Sequence, residues 1–150
     1  MRKLLFVLAL LLPLGVFGQT AGGIMESQVR GFKGTWTPID ASGAALSLTT
    51  SASTYIKIGS MMFASFSITY PVTADGTTMK LGGLPCTAEA VGANVMPVSI
   101  AYTETTSAAY GRVLNNTTTF QVADAAGTTP TNATMSAKLL RGMAIYNSQC

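Results

Sequence analysis

The chain has 150 residues, with 9 lysines and arginines, 6 aspartates and glutamates, no histidine, 2 cysteines and 48% hydrophobic residues. That length suits one domain, and a composition only 10% charged is too apolar for a disordered segment. Without histidine there is no Ser–His–Asp or Cys–His catalysis, and the commonest transition-metal ligand is missing.

Met1–Gly18 reads as a secretory signal peptide. Arg2 and Lys3 form its basic end, Leu4 to Leu14 is nearly all Leu, Phe, Val and Ala around Pro13, and Val16-Phe17-Gly18 sets a cut before Gln19. The apolar run, about 15 residues, falls short of the roughly 20 that a membrane span needs. Its alternative is an uncleaved apolar anchor. Cleavage gives an exported, extracellular or virion-borne protein, and a membrane enters only if the leader is retained.

Without the leader, 7 basic side chains face 6 acidic ones. Arg30, Lys33, Lys57, Lys80, Arg112, Lys138 and Arg141 are dispersed, so no nucleic-acid partner is expected. Residues 19–33, with Gly22, Gly23 and Gly31, read as a linker or N-terminal arm, and the folded domain is expected over 34–150. In an exported chain Cys86 and Cys150 can bridge within the chain, bridge between subunits, or remain two thiols.

From Gly34 onward the chain is a series of short β-type runs. Ala45 to Thr49 alternates, and Tyr55 to Ile58 sets Ile56 and Ile58 on one side. Met61 to Thr69 is the clearest strand. It places Met62, Ala64, Phe66 and Ile68 on one face and Ser65, Ser67 and Thr69 on the other, the period of a half-buried strand. Phe63 breaks that pattern and is expected at an edge or a subunit contact. Asp75-Gly76 signals a turn before a strand over 77–81. Further strands are expected over 95–102, 108–114, 118–123 and 134–147, with a tight turn at Asn115-Asn116 and a division of the last run, if any, at Arg141-Gly142.

No window shows helical spacing, and the abundant threonine suits strands. The fold class expected is all-β, a single antiparallel β-sandwich or jelly-roll-like domain. Its core is expected from Trp36, Leu46, Leu48, Ile56, Ile58, Met62, Phe66, Ile68, Leu81, Leu84, Val98, Ile100, Val113, Phe120, Val122, Met143 and Ile145. Met61, Phe63 and Tyr70 are surplus to that core and point to burial between copies.

Three segments stand out: Gly34-Thr35-Trp36-Thr37-Pro38, Tyr55-Ile56-Lys57-Ile58-Gly59-Ser60, and Gly82-Gly83-Leu84-Pro85. Trp36 is large enough to plug an open end of the fold. Gly59 supplies a turn or bulge, and Leu84-Pro85 follows a glycine pair that permits a sharp reversal. In this order the three segments resemble a C-terminal domain of bacteriophage tail-fibre and head-fibre proteins, over residues 34–85 and more loosely to 147. The resemblance implies an all-β, usually trimeric module that decorates a virion or touches the bacterial surface. It carries over no catalytic residues.

The expected role is therefore a virion spike, fibre head or decoration module, a homotrimer whose partners are other virion proteins or a bacterial surface glycan. A secreted bacterial carbohydrate-binding domain is the alternative. No enzyme is expected, because Glu26, Asp40, Asp75, Glu89, Glu104 and Asp124 are widely spaced and mostly beside turn residues. Neither cofactor nor metal is expected: Asp75 or Asp124 lies in no acid-dense calcium loop. For a ligand, the stretch 102–112 offers Tyr102, Glu104, Tyr110 and Arg112 around a loop, the aromatic-plus-polar mix of saccharide sites; a solvated hairpin is the competing reading. The sequons at Asn115, Asn116 and Asn132 are read as polar turns.

Overall fold

The computed structural model describes residues 31–92 and 96–150. The expected leader, most of the arm and the start of the strand over 95–102 lie outside the described residues. Within them there is no helix, and the all-β class holds. The strands are β1 (Phe32–Thr35), β2 (Ile39–Asp40), β3 (Thr49–Ser51), β4 (Thr54–Ile58), β5 (Met61–Thr69), β6 (Leu81–Gly82), β7 (Thr87–Ala88), β8 (Pro97–Thr103), β9 (Tyr110–Val113), β10 (Phe120–Ala123) and β11 (Leu139–Gln149). All pair antiparallel in one curled sheet of order β1-β4-β5-β11-β8-β9-β10-β6-β2. β3 lies against β5 beyond β4, and β7 lies against β11 beyond β8. The curl brings one face of the sheet round a shared interior, which leaves the opposite face outside.

β5 shows why the sheet closes as it does. Met62, Ala64, Phe66, Ile68 and Tyr70 are all buried, and the residues between them are half-buried. The two-residue link Gly59-Ser60 joins β4 to β5, and Gly59 has φ +60°, a conformation that costs glycine nothing. Along the same edge, Ala52, Ser53 and Thr54 fit opposite only Ser65 and Phe66, a bulge between β3 and β4. Trp36 is stapled to this bulge. Its amide donates to the Ser53 carbonyl at 3.1 Å and its indole Nε1 to the Ser65 carbonyl at 2.9 Å.

The register corrects the expected core. Ile56 pairs with Phe63 and Ile58 with Met61, so both isoleucines lie on the outer face, 48% and 41% exposed. Tyr55 and Lys57 take the inner side instead, and Lys57 Nζ reaches out to the Cys150 carbonyl oxygen at 2.8 Å. Met143 and Ile145 are likewise half-buried on the outer face, opposite Ser65 and Phe63. Alternation tells which residues share a side but not which side is inward. Tyr70, expected between copies, is buried within the chain, as are Met79, Met135, Leu140, Ala144 and Tyr146.

Two expected strands shrink for a common reason. Residues 70–80 and 130–138 are irregular and bind each other: Met79 N donates to Pro130 O, Asn132 N to Thr77 O, Ala133 N to Asp75 O and Ala137 N to Pro71 O. Backbone groups satisfied in this way need no ladder. Hence Asp75-Gly76 does not open a hairpin, and the run expected from 134 becomes β11 only at Leu139. Residues 45–48 are also outside any strand. β11 then passes unbroken through Arg141-Gly142; the irregularity falls on its partner, where Ala101 is the extra residue of β8.

Asn132, fully buried, ties the irregular segments together. Its Nδ2 donates to Asp75 Oδ1 at 2.8 Å and Ser42 Oγ at 2.9 Å, so this sequon is structural and shielded. Beyond β6, Gly83 has φ +82°, and a Cβ there would stand 2.4 Å from the Thr37 carbonyl. Only glycine fits. Leu84 is buried, its amide donating to the Thr118 carbonyl, while Pro85 is half-buried behind it. Cys86 and Cys150 form an intrachain disulfide with Cα atoms 5.7 Å apart, which decides among the three options for the thiols. Tyr146 Oη donates to the Cys86 carbonyl at 3.2 Å beside it, and burial pushes its phenol up to about 12.

Asp40 on β2 and Asp75 in the irregular segment both contribute to the acid response. Burial raises Asp40, but hydrogen bonds from Ser42 and from the Leu46 amide outweigh it and hold the carboxyl below its ordinary value. Asp75 is lowered by bonds from Thr77 and Asn132. A carboxyl lowered on folding binds fewer protons in the native state, so its stabilisation is present above the unfolded value near 3.8 and is lost as pH falls through the folded one. Thermal unfolding is expected to be level in this contribution from pH 7 to about 5 and to weaken below about pH 4. Asp75→Asn should shallow that acid slope; an identical slope would mean that Asp75 contributes nothing.

Candidate binding face

The site is built by register. On β11 alternate residues point outward: Arg141 opposite Ser67 and Tyr102, Met143 opposite Ser65 and Ser99, Ile145 opposite Phe63. On β9, Arg112 stands opposite Pro97 and Gln121, and Tyr110 opposite Ala123. Three of the expected ligand residues, Tyr102, Tyr110 and Arg112, therefore share the outer face. Both tyrosines are about half exposed, at 48% and 46%.

Glu104 is placed differently. It follows β8 in the 104–109 connection to β9, and its Oε2 accepts the Leu139 amide at 2.8 Å while its own amide donates to the Leu139 carbonyl. It closes the end of the β8–β11 ladder. Around it Thr103, Thr105, Thr106, Ala108 and Ala109 line an open depression of about 580 Å³. The cleft beside Tyr110 and Arg112, floored by Gly111, Val122 and Ala123, is only about 20 Å³, the space of a single water. The tyrosines and arginine thus work as a surface.

Arg141 was not among the expected residues. Its guanidinium carbon lies 5.8 Å from the centre of the Tyr102 ring, a cation–π distance. Strand alternation sets Arg141 on the side of Met143 and Ile145, which were expected in the core; the register turns that side outward, and the partnership of Arg141 with Tyr102 depends on β8 pairing with β11. Lys33, paired with Ile56, is the third cation of this face. Among the ladder residues on the outer side of β1, β4, β5, β11, β8, β9 and β10 there is no aspartate or glutamate.

The carboxylates build turns elsewhere. Asp124 Oδ1 accepts the amides of Ala126 and Thr128. Asp40 accepts the amides of Ser42 and Leu46. Among the described residues no three His, Cys, Asp or Glu side chains gather as metal ligands, and no helix is long and apolar enough to cross a membrane. Comparison with protein-family models, with curated proteins and with solved structures returned no match to this chain.

Proposed function

We propose that this protein is an attachment and assembly module of phage-fibre type, a spike, fibre head or decoration protein, that works through the outer face of its sheet. The observation that carries the reading is the display of Tyr102, Tyr110, Arg112 and Arg141 on one outward surface. Rigid rings and guanidinium forks at half exposure suit non-covalent recognition. The exposed Ile56, Ile58 and Met61 on the same side of the neighbouring strands suit contact with further copies or with other virion proteins. The resemblance of the Gly-Thr-Trp-Thr-Pro, Tyr-x-Lys-Ile-Gly and Gly-Leu-Pro segments supports the same role and a homotrimer.

A secreted bacterial carbohydrate-binding domain is the second reading, and the Arg141–Tyr102 pair with the half-exposed Tyr110 on the same face favours it. On a glycan array, the attachment reading expects a signal that falls at least tenfold in Tyr110→Ala, on a residue exposed enough to leave the fold intact. Native mass spectrometry of the same sample expects three subunits. A monomer that binds glycan would favour the secreted domain; a monomer that binds none would remove the proposal.

A further inference from the structure

We propose that the chain binds a calcium ion between Asp40 on β2 and Asp75 in the irregular clasp, with Asn132 supplying a further oxygen. The inference stands apart from the attachment reading. Three segments distant in sequence meet at this cluster. Asn132 Nδ2 donates to Asp75 Oδ1 at 2.8 Å and to Ser42 Oγ at 2.9 Å. The Ser42 amide in turn donates to Asp40 Oδ1 at 3.0 Å. The two carboxyls are close enough for the charge of Asp75 to act on Asp40, and among the described residues no lysine or arginine acts on either of them.

Two buried atoms point to a ligand. Asn132 is 0% exposed and Tyr70 2%, and neither Asn132 Oδ1 nor Tyr70 Oη has a hydrogen-bond partner. Burying such atoms is costly unless something meets them. Asn132 Oδ1 shares its amide carbon with the nitrogen that bridges Ser42 and Asp75, so it belongs to the same cluster. Tyr70 Oη lies within reach of the Asp40 charge. On Asp75 the bonds from the Thr77 amide, the Thr77 hydroxyl and Asn132 all fall on Oδ1, which leaves Oδ2 for an ion. The donor set chooses that ion. Every donor is an oxygen, which suits a hard cation, and two carboxylates match a double positive charge. Calcium accepts carboxylate, amide and hydroxyl oxygens in a flexible shell, whereas magnesium demands a near-ideal octahedron.

The test is thermal unfolding of the full chain, stripped with EDTA and then given calcium or magnesium at constant ionic strength. With two carboxylates the expected dissociation constant is about 10⁻⁴ to 10⁻³ M, so about 10 mM calcium should saturate the site. It should raise Tm by about 5 °C, and magnesium by less than half as much. Asp40→Asn and Asp75→Asn should each abolish the calcium shift. Asp124→Asn, which removes a turn carboxylate outside the cluster, should keep it. Terbium excited through tyrosine should luminesce on the wild-type protein, be displaced by calcium, and lose most of its signal in Tyr70→Phe. That measurement decides the matter if an aspartate variant fails to fold. The inference is overturned by the lack of a calcium shift, an equal shift with magnesium, a shift kept in Asp75→Asn, or a terbium signal unchanged in Tyr70→Phe.

Discussion

Replacing Cys150 with serine is expected to cost about 4 kcal/mol, because the bridge closes a long loop in the unfolded chain. Its two cysteines are 64 residues apart in sequence. For a domain of this size that corresponds to a fall in Tm of about 15 °C. The native side adds to the effect. β7 pairs with the last residues of β11, Tyr146 bonds the Cys86 carbonyl, and Lys57 bonds that of Cys150, so the bridge sits where three weak contacts depend on it. Cys86→Ser, the double variant and the reduced wild type should all unfold together with Cys150→Ser in calorimetry. A shift of only a few degrees would show that the end of β11 is held without the bridge.

Phe120→Ala is the second large effect, expected at about 4 kcal/mol from lost transfer energy and the cavity left behind. Phe120 is fully buried on β10, paired with Val113 on one side and Leu81 on the other. Its ring lies 5.1 Å from that of Phe66, tilted by 41°. β5 and β10 are not neighbours in the sheet, so this contact crosses the interior and holds the curl closed. Removing it should lower the urea midpoint with little change in slope, and Phe120→Leu should recover most of the loss. Phe66→Ala combined with Phe120→Ala should cost less than the sum of the two. Strict additivity would mean that the rings do not support each other across the core.

Little of Phe66's side of that interior tolerates change. Gly142 pairs with Phe66, and a Cβ there would lie 2.8 Å from the ring and 2.4 Å from the Ser99 carbonyl of β8. The inner face is thus filled to backbone contact at its centre, while the outer face keeps its isoleucines, tyrosines and arginines exposed. This asymmetry is why the functional reading falls on the outside of the sheet.

How far the residues alone led can be judged strand by strand. β5 was legible because its alternation is nearly perfect, and buried and half-buried positions follow it residue by residue. Gly59, and a loop between Tyr102 and Arg112, were legible because turns draw on few residue types. The direction of β4 was not: Ile56 and Ile58 share a side in any strand, and only pairing with Met61 and Phe63 sends that side outward. Nor was the irregular clasp of residues 70–80 with 130–138, whose backbone bonds join segments far apart in the chain.

Composition and local pattern by themselves determined the all-β class, the central strand and the lack of histidine chemistry, because these depend on side-chain type and on neighbours one or two residues away. Tertiary structure alone decided which face is interior, that Cys86 meets Cys150, that Glu104 caps Leu139, and that Arg141 stacks on Tyr102. Each of those is a meeting of strands distant in sequence, and the register of such a meeting is set by the closing of the whole sheet.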